Sequence, residues 1–205
     1  MTQRVLDINK EASPRISYEE FLAQADEDVR AEWVNGQVII DMTPVTTWHQ
    51  NLEDFLTALI RYYAEVKELG QVRSAGYQMR IAQPPSGREP DIVFVRNENL
   101  TRMRETFLDG PADLVVEIIS PESRARDRGE KYYEYEAGGV CEYWLLDPQR
   151  KQAEWYQLDD KGIYQLVAAQ DSVYHSRVLE GLWLRESWLW QPPTLREVLR
   201  EWKLI

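Results

Sequence analysis

The sequence is short of cysteine, histidine and positive charge. Its one cysteine among 205 residues, Cys141, cannot close an internal disulfide, which favours a reducing compartment. Its two histidines, His49 and His175, argue against a Ser-His-Asp triad. Neither a Gly-x-Ser-x-Gly elbow, a His-Glu-x-x-His pair nor a paired-cysteine zinc site occurs. Both standard glycine-rich phosphate loops are missing. No apolar run reaches the roughly 18 residues of a membrane span, and the first fifteen residues lack the apolar core of a signal peptide. A cytoplasmic protein without a membrane partner is expected. Lysine and arginine number 24 against 35 aspartates and glutamates, a net charge of −11. That balance argues against a general nucleic-acid coat protein, which needs clustered cations. It leaves room for an acid-rich, metal-dependent site beside a small basic face.

What is present suffices for one folded core. A chain of this length buries roughly 70% of its unfolded surface. Residues 1–15 are polar and aperiodic and read as a loose arm before a single domain over 16–205. Ser17 and Glu20 form a capping box for a helix over 18–27, and Asn35-Gly36 between 30–34 and 37–42 marks a hairpin. Thr47 and Gln50 cap a long helix over 47–68, whose Leu52, Phe55, Leu56, Leu59, Ile60 and Tyr63 share one face. Strands are expected at 71–75, 77–82 and 92–95, with a turn-rich connection over 83–87 and a mobile or partly helical loop over 96–112. Leu114 to Ile119 is a β-branched run of the kind buried on both faces of a sheet. A helix from Pro121-Glu122 to about Ala137, stopped by Gly138-Gly139, leads to a strand over 140–146. A hairpin through 159–162, short strands to about 184 and a helix over 195–203 capped by Thr194 complete the chain. The strand–helix–strand unit at 113–147 predicts a parallel crossover. The fold class is therefore α/β, a mixed β-sheet flanked by helices, with additional β-hairpins.

Two acidic residues stand out. Asp91 opens the apolar strand Ile92-Val93-Phe94-Val95, and Glu117 lies inside Leu114-Val115-Val116-Glu117-Ile118-Ile119. A carboxylate among such neighbours is costly unless paired with an arginine or bound to a cation. If the two strands are neighbours, Asp91 and Glu117 converge, and two carboxylates with open positions suit Mg²⁺ completed by water and phosphate. Downstream, Asp127 and Lys131 fall at i, i+4, as do Arg124 and Arg128. Lys131 on the inner face of that helix reaches back toward Glu117; the plainer alternative is a solvated basic face.

Pro90-Asp91, Glu117-Ile118-Ile119-Ser120-Pro121, Arg126-Asp127-Arg128-Gly129-Glu130-Lys131 and Glu142-Tyr143-Trp144-Leu145-Leu146-Asp147-Pro148 together resemble a large bacterial family of restriction-endonuclease-like proteins in the PD-(D/E)XK nuclease superfamily. The similarity spans about residues 16–190. It implies the restriction-endonuclease-like fold, with Asp91 and Glu117 as metal ligands. The superfamily lysine normally sits two residues after the second acid, where this chain has Ile119; the resemblance implies that Lys131 of the following helix supplies it. Glu32 resembles a family glutamate that adds a metal contact, and His49 matches a histidine at the head of the long helix that serves as an auxiliary group. The usual Asp-Gly-Glu of the hairpin is Asn35-Gly36-Gln37 here, which keeps the turn and loses a carboxylate.

The expected activity is Mg²⁺-dependent endonucleolytic hydrolysis of nucleic acid, double-stranded DNA first, with Mn²⁺ able to substitute. Nucleases that cut both strands of a duplex work as two-fold dimers, and the hairpins and abundant Trp and Tyr suit an interface, so a homodimer is expected. Two alternatives stand beside this reading. One is a catalytically weak or inactive nuclease-fold binding module, favoured by the acidic pI near 4.8 and by Ile119. The other is a carbohydrate-active enzyme with Asp91 and Glu117 as acid and base and Trp183, Trp188 and Trp190 as a sugar platform. Against the latter, Leu182, Leu184 and Leu189 interleave with those tryptophans as core residues do.

Overall fold

The computed structural model describes residues 15–25, 29–40, 43–121 and 123–205. The elements run α1 (Tyr18–Gln24), β1 (Ala31–Val34), β2 (Gln37–Ile40), α2 (Thr47–Val66), β3 (Gly70–Ser74), β4 (Gln78–Ile81), β5 (Ser86–Arg88) and β6 (Ile92–Arg96). After a 3₁₀ turn (Asn97–Arg102) come β7 (Phe107–Asp109), β8 (Leu114–Ile118), α3 (Arg124–Arg128), α4 (Glu130–Gly138) and β9 (Glu142–Asp147). The chain ends with β10 (Gln152–Leu158), β11 (Tyr164–Val167), β12 (Val173–His175), β13 (Trp183–Arg185), α5 (Glu186–Trp190) and α6 (Leu195–Glu201).

A six-stranded sheet, β11-β10-β9-β8-β6-β3, holds the core, and a five-stranded sheet, β2-β1-β5-β4-β7, lies apart from it in hydrogen bonding. In the larger sheet β8 pairs antiparallel with β6 and parallel with β9, so the sheet is mixed as expected. Strand alternation sorts its side chains. Ile92, Phe94, Leu114, Val116 and Ile118 cluster with Leu56, Leu59 and Ile60 of α2 and with the C-terminal segment. Val93, Val95 and Val115 cluster instead with Met79 and Ile81 of β4 and Tyr135 of α4. Each fully buried side chain of this size stabilises by about 1.5–3 kcal/mol, so both faces of β8 are fixed in register. Glu142, fully buried on β9, ties down the C-terminal segment by accepting from Tyr174 Oη at 2.7 Å and from the amides of Arg177 and Val178 at 2.9 Å. Among the described residues no helix is long and apolar enough to cross a membrane.

Several local expectations hold. The Ser17–Glu20 capping box forms and Thr194 caps α6, where Glu197 completes a box not expected from the sequence, and Asn35-Gly36 makes a turn with positive φ at both residues (47° and 88°), the geometry a two-residue hairpin needs. Others are corrected. The cap of α2 is Thr46, not Thr47: Thr46 keeps an extended backbone and its side chain accepts from the His49 amide at 3.2 Å, while Thr47 is already helical. The segment 83–87 is not only a turn, because Ser86 begins β5, inserted between β1 and β4. The 96–112 loop is partly helical, through the 3₁₀ turn Asn97–Arg102, and it is tied to its neighbours. The Asp113 carboxylate accepts from the Arg96 amide at 2.8 Å and from Asn99 Nδ2 at 2.9 Å, and β7 pairs with β4. The helix expected over 121–137 is two helices, broken at Gly129, where a Cβ would lie 2.7 Å from the Ala125 carbonyl oxygen. The arm expected over 1–15 lies, apart from Arg15, outside the described residues, as do 26–28, Asp41, Met42 and Glu122.

Candidate active site

The register of β6 and β8 brings the two acids together. Ile92 pairs with Val116 and Val93 with Val115. One further step places Asp91 opposite Glu117, on the face that carries Val93 and Val115. Both are 3% exposed. Asp91 accepts from the Ile118 amide at 2.6 Å through Oδ2 and lies 3.1 Å from His49 Nε2 through Oδ1. Glu117 accepts from Lys131 Nζ at 2.9 and 3.0 Å and from Tyr135 Oη at 2.7 Å.

The break at Gly129 sets the phase of α4, whose buried face consists of Lys131, Glu134 and Tyr135 at spacings i, i+3 and i+4. Lys131 therefore points into the groove and not along a solvated face. Its ammonium also lies 3.1 Å from Glu32 and 3.5 Å from Asp127. Behind it Arg88, fully buried, donates to Glu32 at 2.8 Å and to both oxygens of Glu134 at 2.8 and 2.6 Å. Outside this cluster, Arg124 and Arg128 of α3 pair with Asp147 of β9, and Arg128 also pairs with Glu154.

The groove holds more negative charge than its own cations match. Glu32, Asp91, Glu117, Asp127 and Glu134 are buried there with Arg88 and Lys131, and Glu89, Arg30 and Arg126 also line the cavity, so acids still outnumber cations. Burial raises the Glu117 carboxyl above the usual carboxylate range; Lys131 offsets this in part, while Asp127, Asp91 and Glu32 add to it. Asp127, Glu53 and Glu89 are raised as well, each above all by burial. Burial would raise Glu32 too, but Lys131 and Arg88 outweigh it and pull its pKa down to about 2. Burial would lower the Lys131 ammonium, yet Glu117, Glu32 and Asp127 hold it above the ordinary lysine range. For His49 the hydrogen bond and charge of Asp91 overcome burial and raise the imidazole.

All five residues expected from the sequence, Glu32, His49, Asp91, Glu117 and Lys131, line one cavity of about 60 Å³, room for a small ion and water. His49, Glu53 and Asp91 each offer a ligand atom within 4.8 Å of the others. Carboxylate oxygens with one imidazole suit a hard or borderline divalent cation such as Mg²⁺ or Mn²⁺, and the excess of buried carboxylates gives such an ion a compensating role. Of the ligands expected from the sequence, Asp91, Glu117 and Glu32, the His49–Glu53–Asp91 set contains Asp91 alone; its donors fit a divalent cation, while Glu117 bonds Lys131 and Tyr135 and Glu32 bonds Lys131 and Arg88. Sequence reasoning missed Glu53, Arg88, Glu134 and Tyr135. Glu53 was findable, one helical turn beyond His49 on α2. Arg88 was not, since Pro84-Pro85-Ser86-Gly87 carries no strand signal. The sugar platform does not form: Trp183 and Trp188 pack at 5.2 Å on each other, and both pack against Trp202.

Residues 18–187 match the model of the Uma2 family, described as "Putative restriction endonuclease". The fold is similar to the crystal structure of "a putative nuclease belonging to DUF820" from Anabaena variabilis ATCC 29413. That likeness has a TM-score of 0.72 and 16% identity, and covers 86% of this chain and 98% of the other. No curated protein matches the chain.

Proposed function

The chain belongs to the Uma2 family of putative restriction endonucleases, and on that basis we propose that the Asp91–Glu117 groove hydrolyses phosphodiester bonds of nucleic acid with the help of a divalent cation. The observation that carries this reading is the pair of buried carboxylates, Asp91 just before β6 and Glu117 in the paired β8, in a groove with more acids than cations and a lysine ammonium on Glu117. Asp91 and Glu117 would hold the ion, Mg²⁺ or Mn²⁺, with His49 and Glu53 beside Asp91 and Glu32 as a further contact. When bound, the cation supplies Lewis acidity at a phosphoryl oxygen and a water acidified toward neutrality.

The chain's own residues do the rest. Lys131, kept protonated by Glu117, Glu32 and Asp127, orients the attacking water and meets the charge that builds on the phosphate. Glu32 and Arg88 fix its position. The Ile118 amide and His49 orient Asp91. Double-stranded DNA is the substrate we favour, cut by a homodimer in the cytoplasm. Ile163 and Leu166, 50% and 64% exposed at and beside the edge strand β11, supply apolar surface for a second copy.

One observation favours the second reading, a weak or inactive binding module. Both oxygens of Glu117 already bond to Lys131, in a chain of net charge −11. Purified protein incubated with plasmid DNA and RNA in Mg²⁺, Mn²⁺ or chelator separates the two. Metal-dependent cleavage lost in D91A and E117A supports the nuclease. Intact substrates under every condition favour the binding module, and cleavage that survives both substitutions moves the site elsewhere.

A further inference from the structure

Beside the acidic groove lies a second cleft, of about 550 Å³, with a different chemistry. Thr46 and Ser120 line both, so the two adjoin. Its walls come from the same segments that build the site. Trp48 precedes His49 in the first turn of α2, and Ile119 and Ser120 follow the strand that carries Glu117. Pro121, Pro148 and Trp190 supply further apolar surface. Trp48 is 69% exposed and lines the cleft, so its indole is available to a ligand there. Among the described residues lining the cleft none is acidic, although the chain carries 35 aspartates and glutamates. The one charged lining residue is Lys151, and Asn51, Gln149 and Gln191 offer amide donors and acceptors.

An exposed indole, flat proline faces, amides at the rim and a lone cation form a surface suited to a planar, hydrogen-bonding ring attached to a phosphate. We propose that this cleft takes one unstacked base of the strand whose phosphate lies at the Asp91–Glu117 groove. The proposal rests on the nuclease reading and deepens it. A duplex must then open locally to be cut, so a strand with an unpaired nucleotide at the scissile position is the preferred substrate. Trp48 stacks on that base, Asn51 and the glutamines meet its edge, and Lys151 meets the adjoining backbone phosphate.

The test compares oligonucleotides that are fully paired or carry a short bubble, with Mg²⁺ or Mn²⁺. Stacking of one base on an aromatic ring corresponds to a factor of about 5 to 150 in binding. The proposal expects wild type to cut the bubble at least tenfold faster, W48A to raise KM on it by about that factor, and W48F to restore most of it. Equal cutting of both substrates with KM unchanged in W48A overturns the cleft assignment and leaves the nuclease reading standing. If wild type cuts nothing, the nuclease reading fails. The cleft is then judged by titrating a single-stranded oligonucleotide against the difference in tryptophan fluorescence between wild type and W48A. Saturable quenching of the Trp48 signal supports base binding, and its absence refutes it. Loss of a dimer in W48A, seen by light scattering without any change in nucleic-acid binding, likewise refutes it by making the indole an interface residue.

Discussion

Replacing Arg88 by methionine removes the cation that organises the back of the groove. Its guanidinium has no exposed surface and bonds Glu32 and both oxygens of Glu134 at 2.6 to 2.8 Å. Methionine fills part of the volume but leaves two carboxylates, each about a tenth exposed, with Lys131 as the remaining cation near Glu32. Breaking a buried pair by removing one partner costs about 3–5 kcal/mol, against a total stability of about 5–15 kcal/mol for an ordinary domain. Lysine keeps the charge and loses the two-pronged geometry, so R88K should fall between, at roughly 1–3 kcal/mol. Urea unfolding in chelator, followed by tryptophan fluorescence, reads these differences. In the double variant R88M/E32Q the losses should not add, because removing the second charge relieves part of the first penalty; a coupling of at least about 1 kcal/mol is expected. If R88M costs less than about 1 kcal/mol, or the two losses add, the buried network is not the element that holds the groove.

Three further outcomes follow from the same geometry. Thr46→Ala should cost about 1 kcal/mol and Thr47→Ala under about 0.5 kcal/mol in thermal or urea unfolding, since Thr46 carries the cap; the reverse order would place the helix start one residue later. Gly129→Ala should lower the melting temperature and, with metal present, activity, because its Cβ meets the Ala125 carbonyl oxygen at 2.7 Å and shifts the turn that aims Lys131; an unchanged melting curve would show that the break does not need glycine. Glu32, lowered from 4.5 to about 2, stabilises the fold above pH 4.5, and that contribution, about 3 kcal/mol by linkage, is lost as the pH falls through about 2. Unfolding between pH 5 and 2 should therefore be flatter in E32Q, and identical slopes would contradict the ion pairing.

Much of this architecture was legible in the sequence because strong local patterns and burial agree. The β-branched run around Glu117 had to be a central strand, and a carboxylate within it had to have a partner. Asn35-Gly36, Ser17–Glu20 and Thr194 each specify a turn or helix start by local hydrogen bonding, without tertiary help. What escaped depends on contacts distant in sequence. Arg88 lies in β5, three residues without an apolar pattern, and is held there by pairing with β1 and β4 and by acids from β1 and α4. The break at Gly129 brings Lys131 and Tyr135 of α4 onto Glu117 of β8, and Asp113 ties residues 96–99 by hydrogen bonds to the Arg96 amide and Asn99. Trp48 carries no local signal of its outward position, which the packing of α2 sets.

The most direct measurement is the anomalous scattering of a crystal soaked in Mn²⁺. The account predicts a single strong peak within about 2.0–2.6 Å of oxygens from both Asp91 and Glu117, absent from E117Q crystals soaked in the same way. A peak held by His49 and Glu53 without Glu117, or no peak in the groove, would contradict it.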